Sequence, residues 1–592
     1  MKYVFTILLF LCFFSLAQAQ TTRMTRGPYL QVVTQTGITI RWRTDTPSAS
    51  RVWFGVGANA LTQSVTDPAP VTEHSISLTG LSPATRYFYA IGQGETRLAG
   101  DAGHTFKTAL PAGDTRSFRI WSLGDFGNGT QNQVDVYEQY KKATANRPAD
   151  LWVWMGDNAY CCGTDEEYQK YIFDVYGPHL RSLPSYAVPG NHDYADQNQK
   201  FDSPYFNVFS FAERGQAGGV PSGSKLYYSY DYGNVHFVML DSFGLEDGKW
   251  ILYDPTSPQV RWLERDLAAR KQPWTVVIFH HPPYTKTARD SDAEEALRLI
   301  RENLTPILER YDVDMVMSGH SHTYERTYRI RDHRGLAATF DPARHLAETT
   351  TGRYDGSPNS CPILTKGKGI VYVVNGSGGA FGGAYSNNPN HPAMATTFKT
   401  LGGSLVLDMN DNRMDAQFIA ADGSIQDRFT IMKNVGQKQS LQLNYGDTLQ
   451  LRASWPADAY RWSEAGQTSR TARFLGRQGG TFNITATDER GCLRDEFSVT
   501  VALPTATETF AEGKMSVYPN PTTGAVTLDL SLNKPQESDV DVMDATGRVV
   551  QQFVLRAATH QQRLIRFPQS GAFTVRVRVG KSVMVKTVIS NQ

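Results

Sequence analysis

The pattern of hydrophobic and polar positions changes twice along the chain. From about Arg26 to Leu110, short runs alternate apolar and polar residues between turn signals, which predicts a small antiparallel sandwich. Over residues 116–435, apolar runs instead end abruptly in polar or glycine-containing loops, and from about Gln437 the short alternating runs return. The chain is therefore predicted to be multidomain, with an α/β region preceded and followed by all-β sandwiches.

The apolar runs of the central region are uniform rather than alternating, as in "LWVWMGDNAY" and "WTVVIFHHPPY". Strands of this kind are buried on both faces, which predicts sheets layered by helices. One helix start is visible, because Thr164–Glu167 has the form of a capping box. Apolar residues follow it at helical spacing, namely Tyr168, Tyr171, Ile172 and Val175. A turn-rich stretch from Thr339 to Lys368 predicts a long surface excursion.

The first nineteen residues have the pattern of a signal peptide. Lys2 is followed by an apolar run from Tyr3 to Leu16 and by a small-x-small site at Ala17–Ala19. We expect cleavage of residues 1–19 and export of the remainder, with an uncleaved membrane anchor as the alternative. No later stretch is long and apolar enough to predict an integral membrane segment.

Composition excludes some functions and leaves others open. The 592 residues include 59 Lys+Arg and 58 Asp+Glu, so no basic field points to nucleic acid as a partner. After the signal peptide, the cysteines are Cys161, Cys162, Cys361 and Cys492, too few for a disulfide framework. The adjacent pair could bridge to each other or pair elsewhere. Function must therefore be sought in a local site.

Side chains with metal-binding chemistry recur where the central strands end. In α/β sheets ligands bind beyond the carboxyl ends of the strands, so these loops are predicted to meet in one crevice. Taken singly, each residue is ordinary for a turn, a helix cap or a core position. Their joint occurrence at strand ends indicates a site: Asp125, Asp157, Tyr160, Asn191, His192, His280, His320 and His322.

Apart from His192, these candidate ligands comprise two carboxylates, one carboxamide, three imidazoles and a phenol. This set is too large for one tetrahedral zinc ion but suits two ions that share a carboxylate. Two ions about 3.5–4 Å apart can activate water and stabilise charge on phosphoryl oxygens. The chemistry that fits best is hydrolysis of a phosphate ester.

Five motif blocks resemble those of purple acid phosphatases, within the calcineurin-like metallophosphoesterases. They are Asp-x-Gly, Gly-Asp-x-x-Tyr, Gly-Asn-His-Asp, Val-x-x-His and Gly-His-x-His, at 125–127, 156–160, 190–193, 277–280 and 319–322. The resemblance implies a four-layer sandwich of two β-sheets flanked by helices, as the catalytic domain at 116–435. It also implies a fibronectin type III-like domain at 22–112, consistent with the L-x-P-x-T-x-Y-x-Y segment beginning at Leu81.

The resemblance also implies roles for the residues. A ferric ion would be held by Asp125, Tyr160 and His322; a divalent ion, Fe, Zn or Mn, would be held by Asn191, His280 and His320. Asp157 would bridge the two ions, and His192 would bind phosphate and protonate the leaving oxygen. The implied activity is that of a secreted acid phosphatase, which hydrolyses phosphomonoesters by in-line attack of a metal-activated hydroxide.

Two departures from the plant members matter. A histidine pair expected nine or ten residues beyond His280 is replaced by Arg289 and Asp290, so phosphate recognition falls to Arg289 or Lys286. His281 competes with His280 as the ligand; the motif favours His280 and places His281 behind it or at the substrate edge.

Three neighbouring residues have two possible roles each. Tyr324 and Arg326 could line the pocket, or the Glu325–Arg326 pair could only fix the loop. Asp193 could orient His192 or cap a turn.

The C-terminal third carries two further predicted modules. Residues 437–503 are similar to an immunoglobulin-like or polycystic-kidney-disease-like sandwich with Trp462 in its core. Residues 514–592 resemble the C-terminal sorting domain of type IX secretion substrates at Pro519–Pro521, Gly524, Gly547–Arg548 and Gly571. The resemblance implies contact with the type IX secretion machinery and a secreted or cell-surface location. Another adhesion-type sandwich is the alternative.

Two other functions remain open on the sequence. The same loops could serve a phosphodiesterase with a divalent metal pair. A surface adhesion or glycan-binding protein would carry a vestigial site, whereas the site here is complete. Small-molecule phosphate esters are therefore the expected partners.

Overall fold

The computed structural model describes residues 22–194, 202–383, 385, 388–444, 446–457, 459–464, 466–502 and 511–591. The predicted signal peptide lies outside them. The chain divides into two compact units, one up to Lys433 and one from Asn434 onward. Among the described residues, no helix combines the length and hydropathy needed to cross a bilayer.

The N-terminal part of the first unit is all-β. Its strands are β1 (Met24–Thr34), β2 (Gly37–Gly55), β3 (Gln63–Leu78), β4 (Arg86–Gln93), β5 (Thr96–Ala99) and β6 (Thr105–Lys107). The predicted alternation is visible in β3, where His74, Ile76 and Leu78 are buried while Ser75 and Ser77 are exposed. β2 pairs antiparallel with β1, β3 and β4.

The rest of the unit alternates strands and helices. Its strands are β7 (Phe118–Leu123), β8 (Leu151–Met155), β9 (Ser185–Val188), β10 (Tyr228–Tyr232), β11 (Val235–Met239), β12 (Leu245–Glu246), β13 (Lys249–Trp250), β14 (Trp274–Ile278), β15 (Met315–Ser318), β16 (Tyr324–Thr327), β17 (Ile363–Leu364), β18 (Val371–Asn375), β19 (Met394–Phe398), β20 (Gly403–Asn410), β21 (Arg413–Ala420) and β22 (Ile425–Met432). The helices are α1 (Gln131–Thr144), α2 (Asp165–Glu167), α3 (Asp174–Leu180), α4 (Tyr205–Val208), α5 (Pro258–Ala269), α6 (Glu295–Asn303), α7 (Thr305–Arg310) and α8 (Pro342–His345).

Apart from β12 and β13, which pair with each other, these strands form two sheets. The first runs β17-β22-β21-β20-β7-β8-β9 and continues into β1, β2, β4 and β5; the second runs β10-β11-β14-β15-β18-β16-β19. Within the first sheet β7, β8 and β9 are parallel. Within the second, β11, β14, β15 and β18 are parallel. The carboxyl ends of the parallel strands therefore gather at one edge of each sheet.

Aromatic side chains pack the two sheets face to face. The rings of Tyr186 in β9 and Tyr230 in β10 are stacked 3.7 Å apart, and Phe118 in β7 contacts Tyr232 in β10 at 4.8 Å. On the outer face of the first sheet, the neighbouring Trp121 stacks on Tyr140 of α1 at 3.8 Å. Side chains alternate across a strand, so Phe118 and Trp121 serve the inner and outer layers. This arrangement confirms the predicted fold class.

The N-terminal strands extend the first sheet. β1 pairs parallel with β9 at Gln31 and Ser185, and the hydroxyl of Tyr186 donates to the carbonyl of Val33 at 2.6 Å. The all-β region is thus joined to the α/β region by a strand pair. The sequence did not predict this, because the pairing depends on residues more than 150 positions apart.

The predicted capping box is present. The hydroxyl of Thr164 accepts from the Glu167 amide at 3.2 Å, and the Glu167 carboxylate accepts from the Thr164 amide at 2.9 Å. The helix that follows is less regular than predicted, because a π-helical stretch, Tyr168–Phe173, lies between α2 and α3. The predicted surface excursion contains only short elements, including α8 and β17.

The second unit is all-β. Its strands are β23 (Lys438–Asn444), β24 (Thr448–Arg452), β25 (Arg461–Trp462), β26 (Thr471–Leu475), β27 (Gly480–Thr487), β28 (Arg494–Ala502), β29 (Gly513–Tyr518), β30 (Ala525–Met543), β31 (Val549–Arg566), β32 (Gly571–Val579) and β33 (Ser582–Ser590). Trp462 is 8% exposed and stacks on Phe497 at 5.7 Å, which confirms its predicted core position. A separate core cluster lies within β30–β33 and includes Leu528, Val542 and Val575.

Candidate active site

The predicted site residues follow the parallel strands directly. Asp125, Asp157 and Asn191 lie in the loops after β7, β8 and β9 of the first sheet; His280 and His320 lie in the loops after β14 and β15 of the second. Contacts across the two sheets confirm that these loops meet: the backbone amide of His320 donates to the Asp125 carboxylate at 2.9 Å. The sheets therefore assemble one site from five loops.

One side of the site is built around the phenol of Tyr160. Its Oη lies 2.8 Å from Asp125 Oδ1, 3.0 Å from Asp157 Oδ2 and 3.4 Å from His322 Nε2. His322 Nε2 also lies 3.3 Å from Asp125 Oδ1. The structure thus brings together the three predicted ferric-ion ligands, with Asp157 beside them.

The other side is built around His280. Its Nδ1 bonds to the carbonyl oxygen of Met155 at 2.8 Å, so Nε2 is directed inward, 3.1 Å from Asp157 Oδ2. The His280 and His320 rings lie 5.2 Å apart. Asp157, His280 and His320 each offer one ligand atom within 4.8 Å of the others. Asp157 therefore stands between the two sides, where a bridging carboxylate is expected.

Two buried candidate ligand atoms on the His280 side, Asn191 Oδ1 and His320 Nδ1, have no hydrogen-bond partner among the described residues. His280 Nε2 has only the Asp157 carboxylate beside it, at 3.1 Å. A buried polar atom without a partner costs free energy, and native structures rarely leave one. His280 and His320 each offer a nitrogen within 4.8 Å of the Asp157 carboxylate, and Asn191 lines the same cavity as His320. These oxygen and nitrogen donors fit a cation at this position.

Burial and charge set the protonation of these groups. Burial alone would raise the pKa of the Asp157 carboxyl, but the neighbouring His280 holds it below its usual value. Burial lowers the pKa of His280, yet the Asp157 charge outweighs it and raises the pKa to about 9. Burial and the charges of Asp125 and Asp157 raise the pKa of the Tyr160 phenol. The arrangement attracts positive charge, which a pair of cations would supply.

Several residues of the site have an unusual backbone conformation. Asp125, Asp157 and His320 have φ values of 57°, 50° and 64°, in the left-handed region that such residues rarely adopt. A Cβ at Gly190 would lie 2.2 Å from Asp157 Oδ1, and one at Gly319 would lie 2.4 Å from Asp125 Oδ2. Glycine beside the ligands is therefore required by close approach of the backbone to the carboxylates.

His192 lies at the open side of the site. Its backbone amide donates to Asp157 Oδ1 at 2.8 Å, and its Nε2 lies 3.9 Å from Asp157 Oδ2. Its Nδ1 bonds to the carbonyl oxygen of Cys161, which fixes the orientation of the ring. Its side chain is 22% exposed, so Nε2 can reach a substrate that enters the cavity.

The two remaining substrate candidates differ in exposure. His281 is buried, with Nδ1 2.8 Å from the hydroxyl of Ser242, and its ring lies 4.2 Å from that of His320. It also lines the cavity, beside the candidate ligand His320. Arg289 lines the cavity and lies 3.8 Å from Glu294. Lys286 is instead held by Asp290 at 3.0 Å, which leaves Arg289 as the cation facing the cavity.

The structure distinguishes between the two roles that the sequence allowed for Tyr324, Arg326 and Asp193. The Tyr324 hydroxyl donates to Asp427 at 2.8 Å, and Arg326 pairs with the same carboxylate at 2.7 Å, so both fix the loop rather than line the pocket. Asp193 accepts from the amides of Asn158 and Gly190 and stabilises these loops.

The adjacent cysteines are also resolved. Cys161 and Cys162 form a disulfide bond with each other, immediately after Tyr160.

Sequence reasoning missed two residues of the site. Glu294 lines the cavity, and its Oε2 lies 3.3 Å from His320 Nε2. A Cβ at Gly376, in the loop after β18, would lie 2.7 Å from Asp125 Oδ2. Glu294 belongs to no motif, whereas Gly376 follows an apolar strand, the signal that identified the other loops.

Comparisons with known proteins agree with this geometry. Residues 118–324 match the family described as Calcineurin-like phosphoesterase, and residues 26–110 match Purple acid Phosphatase, N-terminal domain. Residues 516–591 match Secretion system C-terminal sorting domain. The resemblance seen in the motifs is thereby confirmed, together with a sorting domain at the C-terminal end.

Individual relatives cover part of the chain. Purple acid phosphatase 15 of Arabidopsis thaliana is 32% identical over 43% of this chain and 50% of its own length. Purple acid phosphatase 23 of Arabidopsis thaliana is 30% identical over 45% and 59%. The chain thus spans between half and three fifths of these relatives. The structure of purple acid phosphatase PPD1 from yellow lupin (Lupinus luteus) seeds covers 69% of this chain and 74% of its own, with a TM-score of 0.55 and 19% identity, a likeness of fold.

Proposed function

We propose that this chain is a secreted phosphatase that hydrolyses phosphomonoesters at a binuclear metal centre. The observation that carries the proposal is the close grouping of Asp157, His280 and His320, each of which offers one ligand atom within 4.8 Å of the others. Across Asp157 from the two histidines lie the Tyr160 phenol and the Asp125 carboxylate. Relatives named as purple acid phosphatases support the same reaction class.

The two sides of the site suit different ions. Asp125, Tyr160 and His322 offer a carboxylate, a phenol and an imidazole, and an anionic oxygen pair favours a hard ion such as Fe(III). Asn191, His280 and His320 offer one oxygen and two nitrogens, which suit divalent Fe, Zn or Mn. When bound, such a pair supplies Lewis-acid polarisation of a phosphate ester and activation of water.

Side chains of the protein itself bind the substrate and donate a proton to it. Arg289, at the cavity wall, offers a guanidinium to the phosphoryl oxygens. His192 presents Nε2 to the cavity while its Nδ1 is held by Cys161, so it is placed to give a proton to the leaving oxygen. His281 lines the same cavity and packs against His320, so it positions that ring at the edge of the substrate.

The location follows from the C-terminal region. Residues 516–591 match a secretion sorting domain, so we expect the type IX machinery to carry the protein to the outer surface or medium. Phosphate esters outside the cell would then be its substrates.

Replacement of the central carboxylate tests the proposal. Asp157→Asn is expected to lower turnover of 4-nitrophenyl phosphate by about a thousandfold, because a preorganised charge in contact with both metal positions is lost. Turnover of bis(4-nitrophenyl) phosphate, measured in parallel on the metal-loaded protein, is expected to be much slower than that of the monoester. Asp135→Asn, on the outward helix α1, is the matched control and should retain full activity.

Other outcomes would redirect or end the proposal. Faster turnover of the diester by a colourless protein with two divalent ions would assign a phosphodiesterase instead. A visible charge-transfer band that disappears in Tyr160→Phe would support the ferric site. A protein that retains no iron, zinc or manganese and stays inert when they are supplied has no phosphatase site.

A further inference from the structure

The lining of the cavity beside the candidate metal ligands contains side chains of two kinds. The cavity has a volume of about 290 Å³. His192, Arg289 and His320 form what we call the polar wall, and Phe243, Trp250 and Tyr253 form the aromatic wall. Phosphate chemistry requires the polar wall but gives no reason for three aromatic rings. The aromatic wall must therefore serve another part of the ligand.

Trp250 is unlike the other tryptophans of the chain. Its exposed fraction is 38%, whereas the other nine of the ten tryptophans are all buried. Exposure of one large ring in the lining of a cavity costs hydrophobic free energy unless a ligand covers it. Its ring stacks on that of Tyr253 at 5.3 Å, so the two form one continuous apolar surface.

A short hairpin holds Trp250 in place. β12 and β13 pair through Leu245 and Trp250, and the turn between them is Asp247–Gly248. Both turn residues have positive φ, 52° and 72°, as a type I′ turn requires. The end of the hairpin is fixed by the Ile251 amide, which donates to the Gly244 carbonyl at 3.1 Å. The ring is thus presented by a defined element before any ligand arrives.

The aromatic wall is continuous with the metal ligands. Phe243 stacks on His281 with centroids 6.0 Å apart and planes 11° apart. His281 in turn lies 4.2 Å from the ring of His320. A phosphate held at His320 and Arg289 would therefore have an aromatic surface next to it in the same cavity.

We propose that Phe243, Trp250 and Tyr253 bind a planar aromatic leaving group, so that the site prefers aryl phosphates over alkyl phosphates. Trp250 is the specificity-determining residue. The inference rests on the proposed function. The cavity is at the low end of the ~300–1,000 Å³ typical of small-molecule sites, which suits a single ring bonded through oxygen to phosphorus.

Substrate pairs test the preference. For Trp250→Ala, KM for phenyl phosphate is expected to rise about tenfold with kcat little changed, because stacking stabilises the bound ground state and the transition state alike. Both constants for glycerol 1-phosphate, which has no ring, should stay as in the unmodified protein. Trp250→Phe should restore most of the lost affinity. The matched control is Leu336→Ala, which removes another exposed apolar side chain outside the cavity lining.

A further substrate distinguishes between the two classes of phenol that could supply the ring. Phosphotyrosine, assayed beside phenyl phosphate, carries an ammonium and a carboxylate beyond the ring. If both are hydrolysed with the same dependence on Trp250, the site accepts phenyl phosphates in general. If only phenyl phosphate is hydrolysed, the site accepts only the phosphates of small phenols.

Failure of this inference and failure of the proposed function give different results. Equal changes for phenyl phosphate and glycerol 1-phosphate in Trp250→Ala, or none, would overturn the aromatic site while the phosphatase stands. If the metal-loaded protein hydrolyses neither ester, binding of phenylphosphonate, whose carbon–phosphorus bond is not cleaved, decides. Phenylphosphonate should bind about tenfold more tightly than methylphosphonate, and only when Trp250 is present; equal binding would overturn the inference.

Discussion

His236 and His280 occupy similar surroundings in different parts of the catalytic unit. Both are buried, with 1% and 0% of the side chain exposed, and both lie beside aspartates. Burial lowers the pKa of each, but hydrogen bonds to Asp231 and Asp266 raise that of His236 to about 9. The Asp157 charge raises the pKa of His280 to about 9 as well. A shifted pKa alone does not distinguish them.

The groups that surround their ring nitrogens distinguish the two histidines. His236 Nδ1 lies 2.8 Å from Asp231 and Nε2 lies 2.9 Å from Asp266, so both ring nitrogens are used. His280 uses Nδ1 on the carbonyl of Met155, while its buried Nε2 lies 3.1 Å from Asp157 Oδ2 and within 4.8 Å of a ligand atom of His320. A histidine whose two ring nitrogens are held by two aspartates stabilises the fold; a histidine that shares one carboxylate with a second imidazole is placed to bind a cation.

Replacing each of the two histidines in turn gives the largest expected difference in activity. His280→Ala should lower turnover of 4-nitrophenyl phosphate by about a thousandfold, because one nitrogen ligand is lost and Asp157 loses its neighbour. His236→Gln should leave turnover of the folded protein unchanged. Metal content per chain, measured after gel filtration, should fall in the first variant only. A loss of metal in His236→Gln would show that the comparison misassigns the two histidines.

The pH dependence of stability sharpens the same comparison. A histidine whose folded pKa lies near 9 against an unfolded value of 6.5 contributes stability below about pH 6.5 and loses it as pH rises through about 9. The shift corresponds to about 3 kcal/mol. The free energy of unfolding of the catalytic unit, from urea titration, should therefore fall over this window, and His236→Gln should flatten the slope.

The control for this experiment is an exposed histidine. The His560 side chain is 59% exposed, so His560→Gln should leave the slope as it was. A difference between His236→Gln and the unmodified protein that stays constant from pH 6 to pH 10 would mean that the His236 contribution is packing rather than charge.

Much of the site was predictable because its signals are local. Asp157 and His280 each follow an apolar run within two residues, which places them at strand ends, while His236 lies inside β11. The position of each histidine relative to a strand, after its end or inside it, therefore distinguished the candidate ligand His280 from the structural His236.

Contacts between distant segments were not predictable. Glu294 reaches His320 from the start of α6, and Trp250 reaches the cavity through a hairpin. The extension of the first sheet by β1 depends on a single register with β9. Such contacts are set by tertiary packing, which periodicity and spacing do not encode.

His320 is intermediate between the two histidines and gives the smallest expected effect. Its Nε2 lies 3.3 Å from Glu294, while its buried Nδ1 has no hydrogen-bond partner among the described residues. A carboxylate that holds one ring nitrogen orients the other toward a metal and makes it more basic. Glu294→Ala should therefore weaken binding of one of two ions by about 10- to 100-fold, measured by competition with a chelator.

The neighbouring Glu295 provides the control for this effect. Its side chain is 80% exposed, so Glu295→Ala makes the same chemical change at the same helix start without touching His320. Glu294→Gln keeps an acceptor for His320 Nε2 and should recover most of the affinity, which a purely electrostatic role for the carboxylate would not allow. Equal affinities in Glu294→Ala and Glu295→Ala would show that His320 is oriented by the packing of His281 alone, and the carboxylate would then have no part in holding the ion.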